Sequence, residues 1–211
     1  GIAMDENAKR IYVGSLYPEG GNPGMYIIDP VKARVSGMIN KWESGIGDIL
    51  VSPQSHQIVA VAKYDNMLSI INGSTNKIIQ NITVNDPIRA SSDISGKTIY
   101  IASGSGEIKI LDLSTGNITS EPVGLYLQDL SFNPYNNLLY TTLVNKTMQF
   151  SLNNSGTVSK LIVLDPKTGV IDRVYESQAV LNKILPDPSK GIVYVLGYDK
   201  SKAKLFIVNP R

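Results

Sequence analysis

A short apolar run recurs five times along this chain of 211 residues. The runs are centred on Tyr12, Val59, Tyr100, Tyr140 and Tyr194, which lie 40 to 54 residues apart. Internal repeats of this length are typical of folds in which equivalent units pack side by side. The repeat therefore limits the possible folds more strongly than any single motif does.

The first four repeats each contain four short segments, and the fifth contains three. A second apolar run follows each centre and ends in Asp or Asn, and in most repeats a turn such as DLSTGN at 112–117 comes next and leads into a third run. The apolar run that precedes each centre ends at a cluster drawn from Pro, Asp, Asn, Ser and Gly, residues that favour a tight turn. Runs of about five residues between such turns predict antiparallel strands joined by hairpins. We name these strands A to D in chain order.

Four strands per repeat indicate an all-β fold, a β-propeller of four-stranded antiparallel blades. One such sheet cannot bury both of its faces, whereas blades placed around an axis cover each other. The segments at 49–52, 99–103 and 161–165 are apolar at nearly every position, as strands covered on both faces should be. We predict a single domain with blades at 1–46, 47–87, 88–126, 127–180 and 181–211.

Both ends of the sequence fit this repeat. GIAM at 1–4 takes the place of a strand A, DENAK at 5–9 takes the place of its turn, and LFIVN at 205–209 is a strand C with no strand D behind it. We therefore expect either a five-bladed ring with an incomplete last blade or part of a propeller with about six to eight blades. An open edge strand would favour pairing with another chain, including edge-to-edge self-association.

Composition excludes several classes of function. The chain has no cysteine, which excludes disulfides, thiolate metal sites and a cysteine nucleophile. Lys and Arg total 20 against 18 Asp and Glu, without a basic stripe, so we do not expect nucleic acid as a partner. No apolar run approaches the roughly 20 residues of a membrane-spanning helix, so we expect no membrane span in this segment.

The repeats resemble those of the YVTN family of β-propellers. VSPQSHQIVAVA at 51–62 and SSDISGKTIYIA at 91–102 are similar to the first half of that repeat, and IKILDLSTGNI at 108–118 is similar to the second half. The full Ser-Pro-Asp-Gly turn of the family is absent, and the first and fourth repeats contain insertions. The resemblance implies a surface-layer or other cell-surface propeller located outside the cytoplasm, and it does not imply a ligand.

Binding residues are expected at one end of the blades, where the B-to-C and D-to-A connections lie. The B-to-C connections at 15–24, 143–160 and 197–204 are longer than a hairpin needs, and irregular loops on a rigid scaffold are where binding usually resides. Trp42, the single tryptophan, lies in a D-to-A connection, and it could instead fill the central channel or a seam between blades. The candidate binding residues are Tyr17, Trp42, Tyr126 and Tyr198.

Signals of an enzyme are weak. His56 is the only histidine, and it is interpreted as a surface residue of the A-to-B turn SPQSHQ. Asp29, Asp112 and Asp165 follow strand C in their repeats, so we expect them to accept hydrogen bonds from turn amides rather than to form one site. We predict no catalytic residue, no metal and no cofactor, and whether the chain is an enzyme stays open.

Five asparagines match the acceptor pattern of N-glycosylation. They fall in C-to-D turns, in or near strand D and in the fourth B-to-C connection, where a sugar would not break the fold. The alternative is that Asn, Ser and Thr simply favour turns. The five candidates are Asn72, Asn81, Asn117, Asn145 and Asn153.

Two functions follow from these patterns. The leading prediction is a non-enzymatic, extracellular or cell-surface glycoprotein module whose loop-bearing face contacts a protein, a surface glycan or a lattice neighbour, with repetition adding avidity. The alternative is an extracytoplasmic enzyme or small-ligand binder, of oxidoreductase or lyase type, that uses the central channel. The two differ in whether polar side chains from several A strands converge on one cavity.

Overall fold

The computed structural model describes residues 1–16, 23–52, 54–124, 126–144, 159–199 and 202–209. Strands dominate these residues, and their only helical element is a 3-10 turn at Lys63–Asp65. The strands form five antiparallel sheets in which neighbouring strands follow one another in chain order. The fold is therefore all-β and of the propeller class, as predicted.

The sheets are named first to fifth along the chain. The first contains β1 (Ile2–Asp5), β2 (Arg10–Ser15), β3 (Gly24–Asp29) and β4 (Arg34–Ile39). The second contains β5 (Asp48–Val51), β6 (Gln57–Ala62), β7 (Met67–Asn72) and β8 (Lys77–Thr83). The third contains β9 (Pro87–Ser92), β10 (Thr98–Ser103), β11 (Glu107–Asp112) and β12 (Ile118–Pro122). The fourth contains β13 (Leu127–Asn133), β14 (Leu138–Val144), β15 (Ser159–Leu164) and β16 (Ile171–Ser177), and the fifth contains β17 (Val180–Pro186), β18 (Val193–Asp199) and β19 (Lys202–Val208).

The first residues of the chain are part of the fold, as predicted. Ile2 to Asp5 pair in register with Val13 to Arg10, so these residues are a strand A rather than a tail. The fifth sheet has three strands among the described residues, which also agrees with the sequence pattern. Residues 1–97 and 98–211 form two compact units, which are described separately below, and the single domain stays a prediction.

In the unit of residues 1–97, an apolar core lies between the first and second sheets. Tyr12 and Ile27 of the first sheet belong to one cluster with Ile49, Ile58 and Ile71 of the second. These residues alternate along their strands with residues of the opposite face, which is the period of a strand with one face on this core. The buried side chains hold the two sheets together face to face.

In the unit of residues 98–211, two apolar clusters fill the spaces on either side of the fourth sheet. On one side Ile162 of β15 lies with Tyr100 and Phe132, whose rings stack at 5.8 Å between centroids. On the other side Leu161 and Val163 of the same strand lie with residues of the fifth sheet. The consecutive burial along β15 agrees with the prediction of a strand covered on both faces.

Each unit contains the same polar link between consecutive strands A. In the first unit Asp48 Oδ2 accepts a hydrogen bond from the Ala90 amide at 3.1 Å, and Arg89 Nη1 donates to Asp48 Oδ1 at 3.0 Å. In the second unit Asp129 Oδ2 accepts from the Ile184 amide at 2.7 Å, and Lys183 Nζ donates to its Oδ1 at 3.2 Å. A carboxylate that accepts both hydrogen bonds holds one sheet in a fixed position against the next.

A second link joins the A-to-B turns. Ser52 Oγ donates to the Gly96 carbonyl at 2.9 Å, and Asn133 Nδ2 donates to the Gly191 carbonyl at 3.3 Å. Gly96 and Gly191 have φ of 66° and 70°, a left-handed conformation that glycine adopts without strain. Consecutive sheets within each unit are therefore joined by polar contacts as well as by the apolar core.

Candidate recognition site

The predicted binding face lies only partly within the described residues. Tyr17, Asn145 and Asn153 lie outside them, as do most residues of the long connections at 15–24 and 143–160. The structure describes the remaining candidates, which are Trp42, Tyr126, Tyr198, Asn72, Asn81 and Asn117.

Trp42 lies in the core rather than on the surface. Its side chain is 3% exposed and belongs to the apolar cluster of the first unit. The indole Nε1 donates a hydrogen bond to Ser69 Oγ at 2.9 Å, and Ser69 in turn donates to Asn81 Oδ1 at 2.7 Å. Trp42 therefore cannot act as an exposed anchor in this arrangement, and it occupies a seam between two blades, which was the alternative interpretation.

Tyr126 and Tyr198 are both at least partly exposed, in the second unit. Tyr126 has a left-handed backbone with φ of 60°, and its carbonyl accepts a hydrogen bond from the Val144 amide at 3.1 Å. Tyr198 lies on β18 opposite Val180 and Ala203. Both make further contacts, so neither side chain is free. Their role in binding stays a prediction.

A polar pocket of about 450 Å³ lies where the D-to-A connection of the first blade meets the B-to-C connection of the second. These two kinds of connection share the end of the blade at which binding residues were predicted. The pocket was not predicted from the sequence, because the second B-to-C connection is short. The lining residues are Lys41, Glu43, Ser44, Tyr64, Asp65 and Met67.

The burial of Trp42 explains why the charged side chains next to it in the chain line the pocket. Lys41 and Glu43 flank Trp42 in the chain and are exposed, while the indole between them is buried. In an extended segment successive side chains point to opposite sides, so a buried Trp42 directs its two neighbours outward. Trp42 thus positions the charged side chains of the pocket without lining it.

Asp65 joins the two walls. Its Oδ2 accepts a hydrogen bond from the Glu43 amide at 2.9 Å, and its Oδ1 accepts one from the Ser44 amide at 3.1 Å. The turn that bears Asp65 ends at Asn66, whose φ of 52° is left-handed and whose amide donates to the Lys63 carbonyl at 3.2 Å. The Asn66 side chain accepts a hydrogen bond from the Asp86 amide at 2.8 Å, which ties this turn to the following loop. The pocket is therefore preformed by hydrogen bonds.

The pocket offers an aromatic surface together with charges of both signs. Tyr64 is 52% exposed, and Lys63 Nζ lies 5.9 Å from its ring centroid. Lys63 also lies 3.5 Å from Asp86 Oδ1, which limits the positions its ammonium group can take. An exposed ring beside carboxylate acceptors and ammonium donors can stack against a ligand and hydrogen-bond its polar groups.

The aspartates that follow strand C act in turns, as predicted. Asp29 Oδ1 accepts hydrogen bonds from the Val31 and Lys32 amides at 3.0 Å each, and the bond from Lys32 in particular holds the pKa of Asp29 below its ordinary value of 3.8. The Ser114 hydroxyl and amide lower the pKa of Asp112 in the same way. Asp165 accepts a hydrogen bond from the Lys167 amide at 2.7 Å. These carboxylates stabilise separate turns.

The three described sequon residues lie at or near the surface. Asn72 is partly buried, and its Oδ1 accepts hydrogen bonds from the Ser74 and Thr75 amides at 3.0 Å each. Asn81 on β8 and Asn117 before β12 are exposed. A hydrogen bond to Oδ1 leaves the amide nitrogen, which is the atom that carries a sugar, chemically available.

His56 lies in its predicted turn but has a partner that the sequence did not reveal. Its Nδ1 lies 3.5 Å from Oδ2 of the buried Asp5, an oxygen that accepts no hydrogen bond from the described residues. Asp5 Oδ1 accepts a hydrogen bond from the Ala8 amide at 2.9 Å. Asp5 ends β1 as Asn133 ends β13 in the second unit, so a carboxylate stands here where the second unit has a side-chain amide.

Two kinds of feature are absent from the part of the chain that the structure describes. There, no three His, Cys, Asp or Glu side chains come close enough together to bind a metal ion. In the same residues no helix has the length and apolar character needed to cross a membrane.

Comparison with known proteins identifies the fold. No family model matches the chain, and no curated protein does. A matching solved structure is a chain of the hydrazine synthase of Kuenenia stuttgartiensis, with a TM-score of 0.76, 16% sequence identity and 93% of the present chain covered. The match spans 54% of the hydrazine synthase chain, which is about half of its length. At this identity the likeness establishes the propeller fold and nothing about activity.

Proposed function

We propose that this chain is a non-enzymatic recognition module of an extracellular or cell-surface protein, and that it binds through the pocket lined by Tyr64 and Asp65. The observation that carries the proposal is the preformed pocket at the loop-bearing end of the first unit. Its walls come from two connections that Asp65 ties together at 2.9 and 3.1 Å. A site built before the ligand arrives loses little conformational entropy on binding.

Sugar chains of a surface polymer are the ligand class that this pocket fits best. The cavity of about 450 Å³ is within the range of sites that enclose small ligands or single units of a polymer. The exposed ring of Tyr64 offers a flat surface for a sugar ring, and the carboxylates of Glu43 and Asp65 have lone pairs for hydroxyl groups. Lys41 supplies a donor for ring or hydroxyl oxygens.

Two sequence features support a location outside the cytoplasm. The repeat turns and strands resemble those of the YVTN propellers, which include surface-layer proteins. The exposed Asn81 and Asn117 are accessible to a glycosylating enzyme, and Asn72 lies in a C-to-D turn. Glycopeptide mass spectrometry of native material should find sugar on at least one of these three residues, and unmodified peptides at all three would remove this support.

The single tryptophan provides a direct test of binding. Trp42 lies between the pocket residues Lys41 and Glu43, so a ligand in the pocket should change its fluorescence. We would titrate the protein with neutral, acidic and basic oligosaccharides. A saturable change is expected for at least one of them, and Tyr64→Ala should weaken it by about tenfold or more, or roughly 1.4 kcal/mol.

The matched control is Tyr135→Ala. Tyr135 is also an exposed tyrosine, but it follows β13 in an A-to-B turn and does not line the pocket. This variant should bind like the unmodified protein. Equal affinity of the Tyr64→Ala variant and the unmodified protein, or no response to any of the sugars, would contradict the proposal.

A further inference from the structure

The last strand of the second sheet carries a sequon beside the pocket of the first unit. This sequon, at 81–83, lies on β8, and its Asn81 and Thr83 are both exposed. Asn81 pairs with Ser69 of β7. Thr83 pairs with Met67, which lines the pocket. Residues directly opposite each other in an antiparallel pair share one face, so the sequon runs along the wall of the pocket.

The orientation of the Asn81 amide follows from the hydrogen-bond donors beside it. The indole Nε1 of Trp42 can only donate, so Ser69 Oγ accepts from it at 2.9 Å and has its own hydrogen left to donate. That hydrogen needs an acceptor, which is Asn81 Oδ1 at 2.7 Å and cannot be the amide nitrogen. Trp42 and Ser69 are buried, so Oδ1 is held toward the core. The nitrogen of the same amide, which is the atom that carries a sugar, therefore lies on the solvent side.

Among the three described sequon asparagines, Asn81 is the one beside the pocket. Asn72 ends β7 and so lies at the opposite end of that strand from Met67. Its Oδ1 is engaged by two amides of its own turn. Asn117 belongs to the second unit, where its carbonyl accepts a hydrogen bond from the Asp112 amide at 2.9 Å.

Asn81 is close enough to the pocket for an attached sugar to reach it. Two positions along a strand separate Asn81 from Thr83, which is roughly 7 Å, and Thr83 is opposite the pocket residue Met67. Trp42, at the other end of the hydrogen bonds through Ser69, lies between two residues of the facing wall. A ligand tethered at so short a distance has an effective concentration on the order of millimolar.

We propose that Asn81 carries an N-linked glycan whose first sugars lie across this pocket and compete with the sugars of other molecules. The inference rests on the proposed function, because it uses the same pocket. The exposed ring of Tyr64 and the carboxylate of Asp65 contact the attached sugars as they contact a free ligand. Modification of Asn81 thereby controls recognition by the first unit.

The modification itself is a transfer from a phosphate-activated sugar donor, catalysed by a glycosyltransferase of the host. A bond forms between Asn81 Nδ2 and C1 of the sugar, and the bond from C1 to the donor's phosphate oxygen breaks. The amide nitrogen loses one proton, and the phosphate group leaves with the electron pair of the broken bond. Oδ1 takes no part, so its hydrogen bond from Ser69 persists in the product.

The expression host switches the modification on and off in the whole chain. We would produce the chain in a host that performs N-glycosylation and in one that does not, and locate sugar by glycopeptide mass spectrometry. Asn81 should be occupied in the first preparation. Both preparations would then be titrated with the neutral, acidic and basic oligosaccharides of the Trp42 fluorescence experiment. The glycosylated chain should bind about tenfold or more weakly than the unmodified chain.

Two sequons with the same sequence, Asn-Ile-Thr, give a matched pair of variants. Thr83→Ala removes the sequon of Asn81 and leaves the hydrogen bond from Ser69 in place. From the glycosylating host, this variant should bind as tightly as the unmodified chain. Thr119→Ala removes the sequon of Asn117 and should leave the weakening unchanged. Thr83→Ala made without glycosylation should also bind like the unmodified chain, which excludes a direct role of Thr83 in binding.

Amide hydrogen exchange separates a failure of this inference from a failure of the proposed function. In the glycosylated chain, the amides of 63–67 should exchange about threefold or more slowly than in the Thr83→Ala variant from the same host, whether or not the pocket binds free sugars. An unmodified chain that binds no sugar would contradict the proposed function. An unoccupied Asn81, unchanged exchange at 63–67, or equal affinity of the two preparations for a sugar that the unmodified chain binds would each overturn this inference.

Discussion

The fourth and fifth sheets follow one sequence pattern, yet their outer faces differ in exposure. Leu161 and Val163 of β15 are 2% and 1% exposed, whereas Leu205 and Ile207, at the equivalent places of β19, are 61% and 65% exposed. The first pair is covered by the fifth sheet, with which it forms one apolar cluster. Burial of these residues is therefore decided by the neighbouring sheet and not by the strand that bears them.

The open face of the fifth sheet is apolar over more than one strand. Leu185 of β17 and Leu196 of β18 are exposed together with Leu205 and Ile207 of β19. Contiguous exposed apolar side chains are typical of surfaces that bind another molecule or another part of the protein. The comparison shows that the apolar character of a strand does not decide whether it is covered, since similar residues are buried on β15 and exposed on β19.

The largest expected effect is on the covered face. Leu161→Ala leaves a cavity between two packed sheets and should lower the free energy of unfolding by about 2–5 kcal/mol. Leu205→Ala removes the same atoms from an exposed site and should change the free energy of unfolding by less than about 0.5 kcal/mol. Urea denaturation of both variants measures the difference. Equal losses would contradict the assignment of covered and open faces.

An intermediate effect is expected at the polar link between these two sheets. Asp129→Ala leaves the Ile184 amide without its acceptor at 2.7 Å and should destabilise the protein by about 1–3 kcal/mol. The loss should also raise hydrogen exchange in β17, because that link fixes the fifth sheet against the fourth. The Asp129→Asn variant keeps an acceptor oxygen and should lose less stability than the Ala variant. Native-like exchange in β17 of the Ala variant would count against this role.

The smallest expected effect is at Asp5, where the first unit departs from the second. Asp5→Asn would supply the amide donor that Asn133 has, and would remove a buried oxygen that lacks a hydrogen bond, so it should stabilise by about 1 kcal/mol. Asn133→Asp is the reverse change and should destabilise by about 1 kcal/mol, since it puts a carboxylate against the Gly191 carbonyl. Thermal denaturation measures both. A loss of stability in the Asp5→Asn variant would show that the contact between the Asp5 carboxylate and His56 stabilises the fold.

Much of the fold could be predicted because strand pattern and turn chemistry are local. The opening residues as β1, the turn role of Asp29 and the three-stranded fifth sheet all follow from segments of about ten residues. The links at Asp48 and Asp129 were missed, although an acidic residue at the start of an apolar strand, as in DILVS at 48–52, is a signal that could have found them.

The candidate site was predictable only in its general place. A pocket does lie at the loop-bearing end of a blade, but the length of the connections favoured other loops than the short one that bears Tyr64. That ligands bind at this end stays a prediction. For Trp42 the sequence left several places open, an exposed loop, the central channel or a seam between blades, and the choice depends on contacts such as the hydrogen bond to Ser69, a residue 27 positions away in the chain. Contacts of that range are set by how sheets pack, which repeat spacing does not determine.

Amide hydrogen exchange of the protein without ligand is the most direct test of the contrast between the fourth and fifth sheets. The amides of β15 pair on both sides, with β14 and β16, whereas within the described ranges those of β19 pair with β18 alone. We expect β15 to exchange only through global unfolding, and alternate amides of β19 to exchange at least about a hundredfold faster. Equal protection of the two strands would mean that the edge of β19 is already covered, and would contradict the account.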